Sequence, residues 1–235
     1  MMKYRAIFSN QKGARNAEID CNSIDYCYPL IFNGITIDTD GFELLSIANP
    51  EQYSEIQLAL FEYDTKLIQC ANEARELLVL KNYQLNVFIP IHILEIQSGK
   101  KDTADIQIIM KHDGENGEKG IKRICSLLGK SSENYNMEEA FREVQAQLAE
   151  SHCMETCSNC KNSWWSIYGG TEFCNHLCFK SDAEAFQAIK DKNKLTVARF
   201  MKYDNDQNWQ SVRLTDYCDM FDWNIQDIMK QEMKR

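Results

Sequence analysis

The sequence predicts an α+β protein, with a strand-rich, sandwich-like part over residues 1–130 and a helical, zinc-clasped part over residues 131–235. Three observations carry this expectation. Apolar and polar residues alternate with period two in several segments before residue 130. The clearest helical apolar face begins only at Met137. Cysteines crowd into residues 153–178, with one more at Cys218. No Gly/Ser-rich linker separates the two parts, so one compact unit also fits, with any boundary near Lys130.

The elements follow in order. Tyr4-Arg5-Ala6-Ile7-Phe8 predicts a first strand, and Gly34-Ile35-Thr36-Ile37-Asp38 another before a turn at Asp40-Gly41. Asn49-Pro50 suggests an N-cap with proline in the first helical turn. Ile56, Leu60, Tyr63, Leu67, Cys70, Ala74 and Leu77 then keep a 4-3 spacing, while Ile56-Gln57-Leu58-Ala59-Leu60 alternates; the expectation is a short helical turn followed by strands. Residues 83–89 and 91–94 alternate on either side of Pro90, which suggests an edge strand or a bulge. Residues 104–110 would be the return strand of a long hairpin, followed by a polar loop around Gly114, Gly117 and Gly120. Asn136 with Glu139 forms a capping-box pattern, and Met137, Phe141, Val144 and Leu148 share one face, so residues 137–150 read as an amphipathic helix. Ser181 with Glu184 predicts a second helix, running to about Lys190.

Composition narrows the class of protein. With 235 residues, 44% hydrophobic and 26% charged, the chain has the material for a true core, which excludes disordered and fibrous classes. The net charge of −9 is evenly spread, with 14 basic against 18 acidic residues in 1–130 and 12 against 17 in 131–235. Nucleic-acid binding needs a positive footprint, so no nucleic-acid partner is expected. No apolar run approaches the roughly 18–20 residues that span a bilayer, so no membrane partner is expected either. Residues 1–9 lack the apolar core of a secretion signal. The expectation is a cytoplasmic protein whose ten cysteines are reduced thiols, some of them metal ligands.

Cys157-Ser158-Asn159-Cys160 is the strongest chemical signal. A Cys-x-x-Cys turn brings two thiolates within about 2.3 Å of one Zn²⁺, and a tetrahedral site then needs two more ligands. The candidates are Cys153, Cys174, His176, Cys178 and Cys218. Spacing leaves two arrangements open: Cys174 with Cys178 would close a ribbon, whereas Cys178 with Cys218 would tie in the C-terminal region.

Together with Ser163, Ser166, Tyr168-Gly169, Phe173, Cys178-Phe179 and Tyr217-Cys218-Asp219-Met220-Phe221, this pair resembles the signature of an uncharacterised family of bacterial proteins. Weaker echoes lie in Leu45, Asn49-Pro50 and Ile89-Pro90-Ile91. The resemblance implies the ligand set Cys157, Cys160, Cys178 and Cys218; Cys174 and His176 match no recurring position of the family. Ile167 stands where relatives often have proline, and Trp164-Trp165 replaces more polar residues. The family has no established activity, so the resemblance implies no catalytic residue.

A closed site of four thiolates keeps no open position for substrate, so the expected Zn²⁺ is structural. Other signals are weaker. A thioredoxin-like role would need a strand before Cys157 and a helix starting at it, whereas the sequence places a helix before it. A zinc deaminase would carry His-x-Glu and Pro-Cys-x-x-Cys, and Thr156 precedes Cys157. Asp204-x-Asp206-x-Asn208 begins like an EF-hand loop but has Trp209 in place of glycine and Thr215 in place of glutamate. His92 and His112 fall in strand patterns and read as structural. Trp164, Trp165 and Tyr168 are expected in a loop beside the metal, either covering it or anchoring a partner. Asp204, Asp206, Asp216, Asp219, Asp222 and Asp227 could face a basic protein. The expected function is a non-enzymatic binding protein, in its most concrete form an immunity-type protein with a basic partner. The alternative is a hydrolase with an unrecognised active site.

Overall fold

A computed structural model describes residues 3–20, 29–39, 44–47, 49–70, 73–112, 121–165, 176–180 and 210–212. The first strands are β1 (Lys3–Asn10), β2 (Gly13–Asp20), β3 (Leu30–Phe32), β4 (Ile35–Ile37) and β5 (Ser46–Ile47), followed by a 3-10 turn at Pro50–Gln52 and the one-turn helix α1 (Glu55–Leu58). Then come β6 (Glu62–Cys70), β7 (Glu73–Lys81), β8 (Tyr83–Glu95), β9 (Lys101–His112), β10 (Lys122–Leu127) and β11 (Lys130–Asn134). The helix α2 (Met137–Leu148) precedes β12 (His152–Met154), a 3-10 turn at Cys157–Asn159, β13 (Ser163–Trp165), β14 (His176–Cys178) and β15 (Gln210–Val212). The protein is therefore rich in antiparallel strands and, among the described residues, poor in helix.

The strand-rich first part agrees with the alternation of its sequence. Its main sheet runs β11-β10-β9-β8-β1-β2-β3-β4, with β12 added to β8. In β1 the alternation buries Tyr4, Ala6 and Phe8 and turns Lys3 and Arg5 outward. In β8 and β9 it buries Leu85, Val87, Ile89, Ile91, Ile106, Ile108 and Met110 in one layer. A smaller sheet, β5-β7-β6, joins this core through Ile47, Leu78 and Leu80. Phe8, Phe32 and Phe61 lie there with ring centroids 5.2–5.6 Å apart. The turn between β3 and β4 places Asn33 and Gly34 at φ 50° and 76°, the two positive values that fit a type I′ hairpin to the strand twist.

Residues 49–80 form a short helical turn followed by strands, as the mixed periodicity suggests. The capping differs in detail. Asn49 has φ 52° and makes no side-chain cap, whereas Ser54 and Gln57 form a reciprocal capping box on α1. The expected interruption at Pro90 is corrected: β8 continues through it and is a central strand. Proline fits because β1 pairs β8 only as far as Phe88 and β12 only from Ile93 onward, which leaves one side of residues 89–91 without a paired strand among the described residues.

The helix predicted from Met137 is α2. Its apolar face and Met154 of β12 share one buried cluster with the strands that precede Lys130. The turn at Asp40-Gly41, the loop of Gly114, Gly117 and Gly120, the helix from Ser181, and Asp204–Asn208 lie outside the described residues. Among the described residues no helix is long and apolar enough to cross a membrane.

Candidate metal centre

The Cys157 turn is held in place from α2. Asn136 caps that helix by accepting the Glu139 N–H at 3.0 Å, one half of the predicted capping box. Below it, Met137, Phe141, Val144 and Leu148 are buried as their spacing requires, and so is Gln145. A polar side chain in a core needs partners, and Gln145 has three. Its Nε2 donates to the His152 carbonyl at 3.1 Å, while its Oε1 accepts the Met154 N–H at 2.8 Å and Asn159 Nδ2 at 3.2 Å. Asn159 Nδ2 also donates to the Met154 carbonyl at 3.0 Å. One amide thus fixes the helix, β12 and the cysteine turn to one another. Its signal in the sequence was a lone glutamine on an otherwise apolar stripe, between Phe141 and Leu148.

The turn itself closes through the Asn159 N–H on the Thr156 carbonyl (2.9 Å) and the Cys160 N–H on the Cys157 carbonyl (3.2 Å). The Ser163 N–H reaches the Cys160 carbonyl at 3.2 Å, and its hydroxyl donates to the Cys157 carbonyl at 2.6 Å. Ser163 opens β13 and is registered opposite Cys178 of β14, and the Phe179 N–H donates to the Asn162 carbonyl at 2.9 Å. Cys178, eighteen residues after Cys160, is carried to the turn by this pairing. Cys157 and Cys178 pack together at 4% and 3% exposure, and Cys160, on the same turn, is 6% exposed.

The predicted ligands therefore divide. Cys157 and Cys160 share one buried, hydrogen-bonded turn, Cys178 packs against Cys157 from β14, and Cys218 lies outside the described residues. Among the described residues no group of three or more histidine, cysteine, aspartate or glutamate side chains is arranged to hold a metal ion. The donor chemistry of the turn suits a soft, thiolate-preferring ion, with Cys157 and Cys178 as the two sulfurs that pack together. Cys153 belongs to β12, opposite Leu94, and not to the turn. His176 is registered opposite Trp165, and Cys174 lies outside the described residues.

Two expectations near the turn need correction. The helix α2 does not lead directly into Cys157, because the short strand β12 stands between them; the cysteine itself opens a single 3-10 turn. Trp164 and Trp165 belong to β13, registered with Leu177 and His176, and not to a loop. Tyr168 lies outside the described residues.

Glu155, just before the turn, carried no signal in the sequence. Its side chain is 5% exposed and pairs with Lys101 Nζ at 2.9 Å, while its Oε2 has no hydrogen-bond partner among the described residues. Its N–H donates to the His92 carbonyl at 2.8 Å, which extends the β12 edge along β8. Burial pushes the Cys153 thiol well above its usual range, and Glu155 adds to that against the opposing Lys101 charge. A thiol so firmly protonated is a poor nucleophile. The chain matches no known protein family, no curated protein and no solved structure.

Proposed function

We propose that this chain is a non-enzymatic binding protein whose Cys157, Cys160, Cys178 and Cys218 hold one structural Zn²⁺, and whose acidic surface meets a basic protein partner in the cytoplasm, an immunity-type role. The observation that carries the metal part is the pairing of Ser163 with Cys178 while the Ser163 hydroxyl holds the Cys157 carbonyl at 2.6 Å. That arrangement fixes a thiol from a distant strand against the Cys-x-x-Cys turn. It also suits an ion bound for stability, because four thiolates fill a tetrahedral shell and leave no site for substrate. The resemblance of the cysteine signature to the bacterial family favours Cys218 as the fourth ligand. The net charge of −9 favours a basic partner.

Metal analysis of purified, reduced protein tests the first part. The expected content is about one zinc per chain, as for a single tetrahedral thiolate site. Cys218→Ser should lose the metal and Cys174→Ser should keep it. Reduced protein without metal would overturn the reading, and loss on Cys174→Ser alone would select the ribbon pairing. For the second part, reversing the charges of Asp216, Asp219, Asp222 and Asp227 should abolish capture of a basic partner from the native host; unchanged capture would remove the acidic-face proposal.

A further inference from the structure

Far from the cysteine turn, the other end of β8 carries a second group of polar side chains, with Tyr83 and Arg123 buried and His112 half-buried. Tyr83 is registered opposite His112 of β9, and their rings stack with centroids 5.5 Å apart. Two residues along β9, Met110 is registered opposite Arg123 of β10, so all three side chains lie on the inner face of the sheet. Tyr83 is 4% exposed, and among the described residues neither its hydroxyl nor His112 Nδ1 has a hydrogen-bond partner. Buried polar atoms are rarely left so. Aromatic rings lie on the other side: Phe8 stacks on Tyr83 at 5.9 Å, with Phe61 5.6 Å from Phe8. Asp64, a carboxylate whose field reaches His112, is exposed and held by Lys81 at 2.5 Å. Arg123 is 5% exposed, and its Nη1 donates to the carbonyls of Ile121, at 3.1 Å, and of Tyr135. Its positive charge is felt at the Tyr83 hydroxyl, where it opposes the upward push of burial.

We propose that Tyr83 and His112, with Arg123 on the same face of the sheet, form a binding site for a small carboxylate. The two unmatched groups are a hydroxyl and an imidazole nitrogen, both able to donate, and a carboxylate offers two oxygens in one plane to meet them. The guanidinium field selects an anion over a neutral acceptor. The aromatic walls disfavour a doubly charged phosphate, which would bring more charge and more oxygens than the site can satisfy. The site is independent of the metal centre.

The test is an acetate titration of the full chain, followed through the imidazole resonances of its four histidines, with chloride at matched ionic strength as control. The His112 signals should shift to saturation while those of the exposed His92 stay in place. Tyr83→Phe should weaken acetate on the order of tenfold, the loss expected for one hydrogen bond to a charged group. This variant removes a hydroxyl that has no partner, so folding should be retained; His112→Phe, which keeps an aromatic ring against Tyr83, should give the same loss in a thermal-shift titration. Equal shifts of all histidines, saturation by inorganic phosphate but not by acetate, or unchanged affinity in both variants would overturn the proposal.

Discussion

The sheet core and the cysteine turn are both buried, but they are built from opposite materials. Around β8 and α2 the interior is Leu, Ile, Val, Met and Phe, with Phe141 at 1% exposure. Between Glu155 and Ser163, and at Cys178–Phe179, the buried residues are Glu155, Thr156, Cys157, Asn159, Cys160, Asn162, Ser163, Cys178 and Phe179. Of these, Phe179 alone is a large hydrocarbon. At roughly 25 cal/mol per Å² of apolar area, apolar burial is the main stabilising contribution in the first region. The second relies on hydrogen bonds such as those of Gln145, Asn159 and Ser163, each contributing about 0.5–1.5 kcal/mol net. A region so poor in hydrocarbon gains most from a cross-link, and zinc binding can supply ~10–16 kcal/mol in small thiolate domains.

The comparison breaks or sharpens first at Phe141. Phe141→Ala should cost about 3–5 kcal/mol, as for other buried aromatic truncations. In urea denaturation the loss should be the same with or without a zinc chelator. A chelator should instead speed amide exchange at Asn159, Cys160, Ser163 and Phe179 and leave the β8 and β9 amides protected. Uniform acceleration across both regions would mean that they share one support.

Gln145 is where the two regions meet, and its effect should be smaller but two-sided. Gln145→Ala leaves the Met154 N–H and the His152 carbonyl without this partner and leaves Asn159 Nδ2 only its bond to the Met154 carbonyl. The expected cost is roughly 2–3 kcal/mol. If the metal reading holds, the variant should also bind zinc more weakly, because the turn that presents Cys157 loses its brace. Unchanged amide exchange in the turn would show that Asn159 is held without α2.

The same division sets what could be read in the chain. Local periodicity was enough for β1, where Tyr4, Ala6 and Phe8 alternate, and for α2, where Met137, Phe141, Val144 and Leu148 recur. Pro90 points to an edge strand, yet a missing N–H requires only that one side of that residue has no paired strand, and the gap between the ends of β1 and β12 meets that need inside a central strand. Trp164-Trp165 looked like loop because β13 exists only through its pairing with β14, a contact across residues 166–175. At the candidate site the Cys157–Cys160 spacing was visible, being local. The arrival of Cys178 depends on strand register, and the brace on Gln145, nine residues before Met154 and in a different element. Glu155 gave no signal, since a carboxylate in sequence is by default a solvated one.

The smallest expected effect separates the regions by pH. Burial pushes the Cys125 thiol up to about 12, with the Arg123 charge opposing. The folded protein thus holds this proton more tightly than the unfolded chain, whose thiols titrate near 8.5. The sign follows: its contribution is complete below that value and is lost as pH rises through it toward 12, at about 1.4 kcal/mol per pH unit. Cys153 and Tyr83, also shifted upward by burial, add in the same direction. Cys125→Ala should therefore flatten the alkaline limb of the stability curve, read as a change in slope so that the cost of truncation drops out. Zinc-bound thiolates behave oppositely, since protons compete with the metal and release it as pH falls. If the metal reading holds, the core should weaken first in alkali and the cysteine turn first in acid; an alkaline slope unaltered by Cys125→Ala would show that this thiol ionises in the folded state as readily as in the unfolded chain.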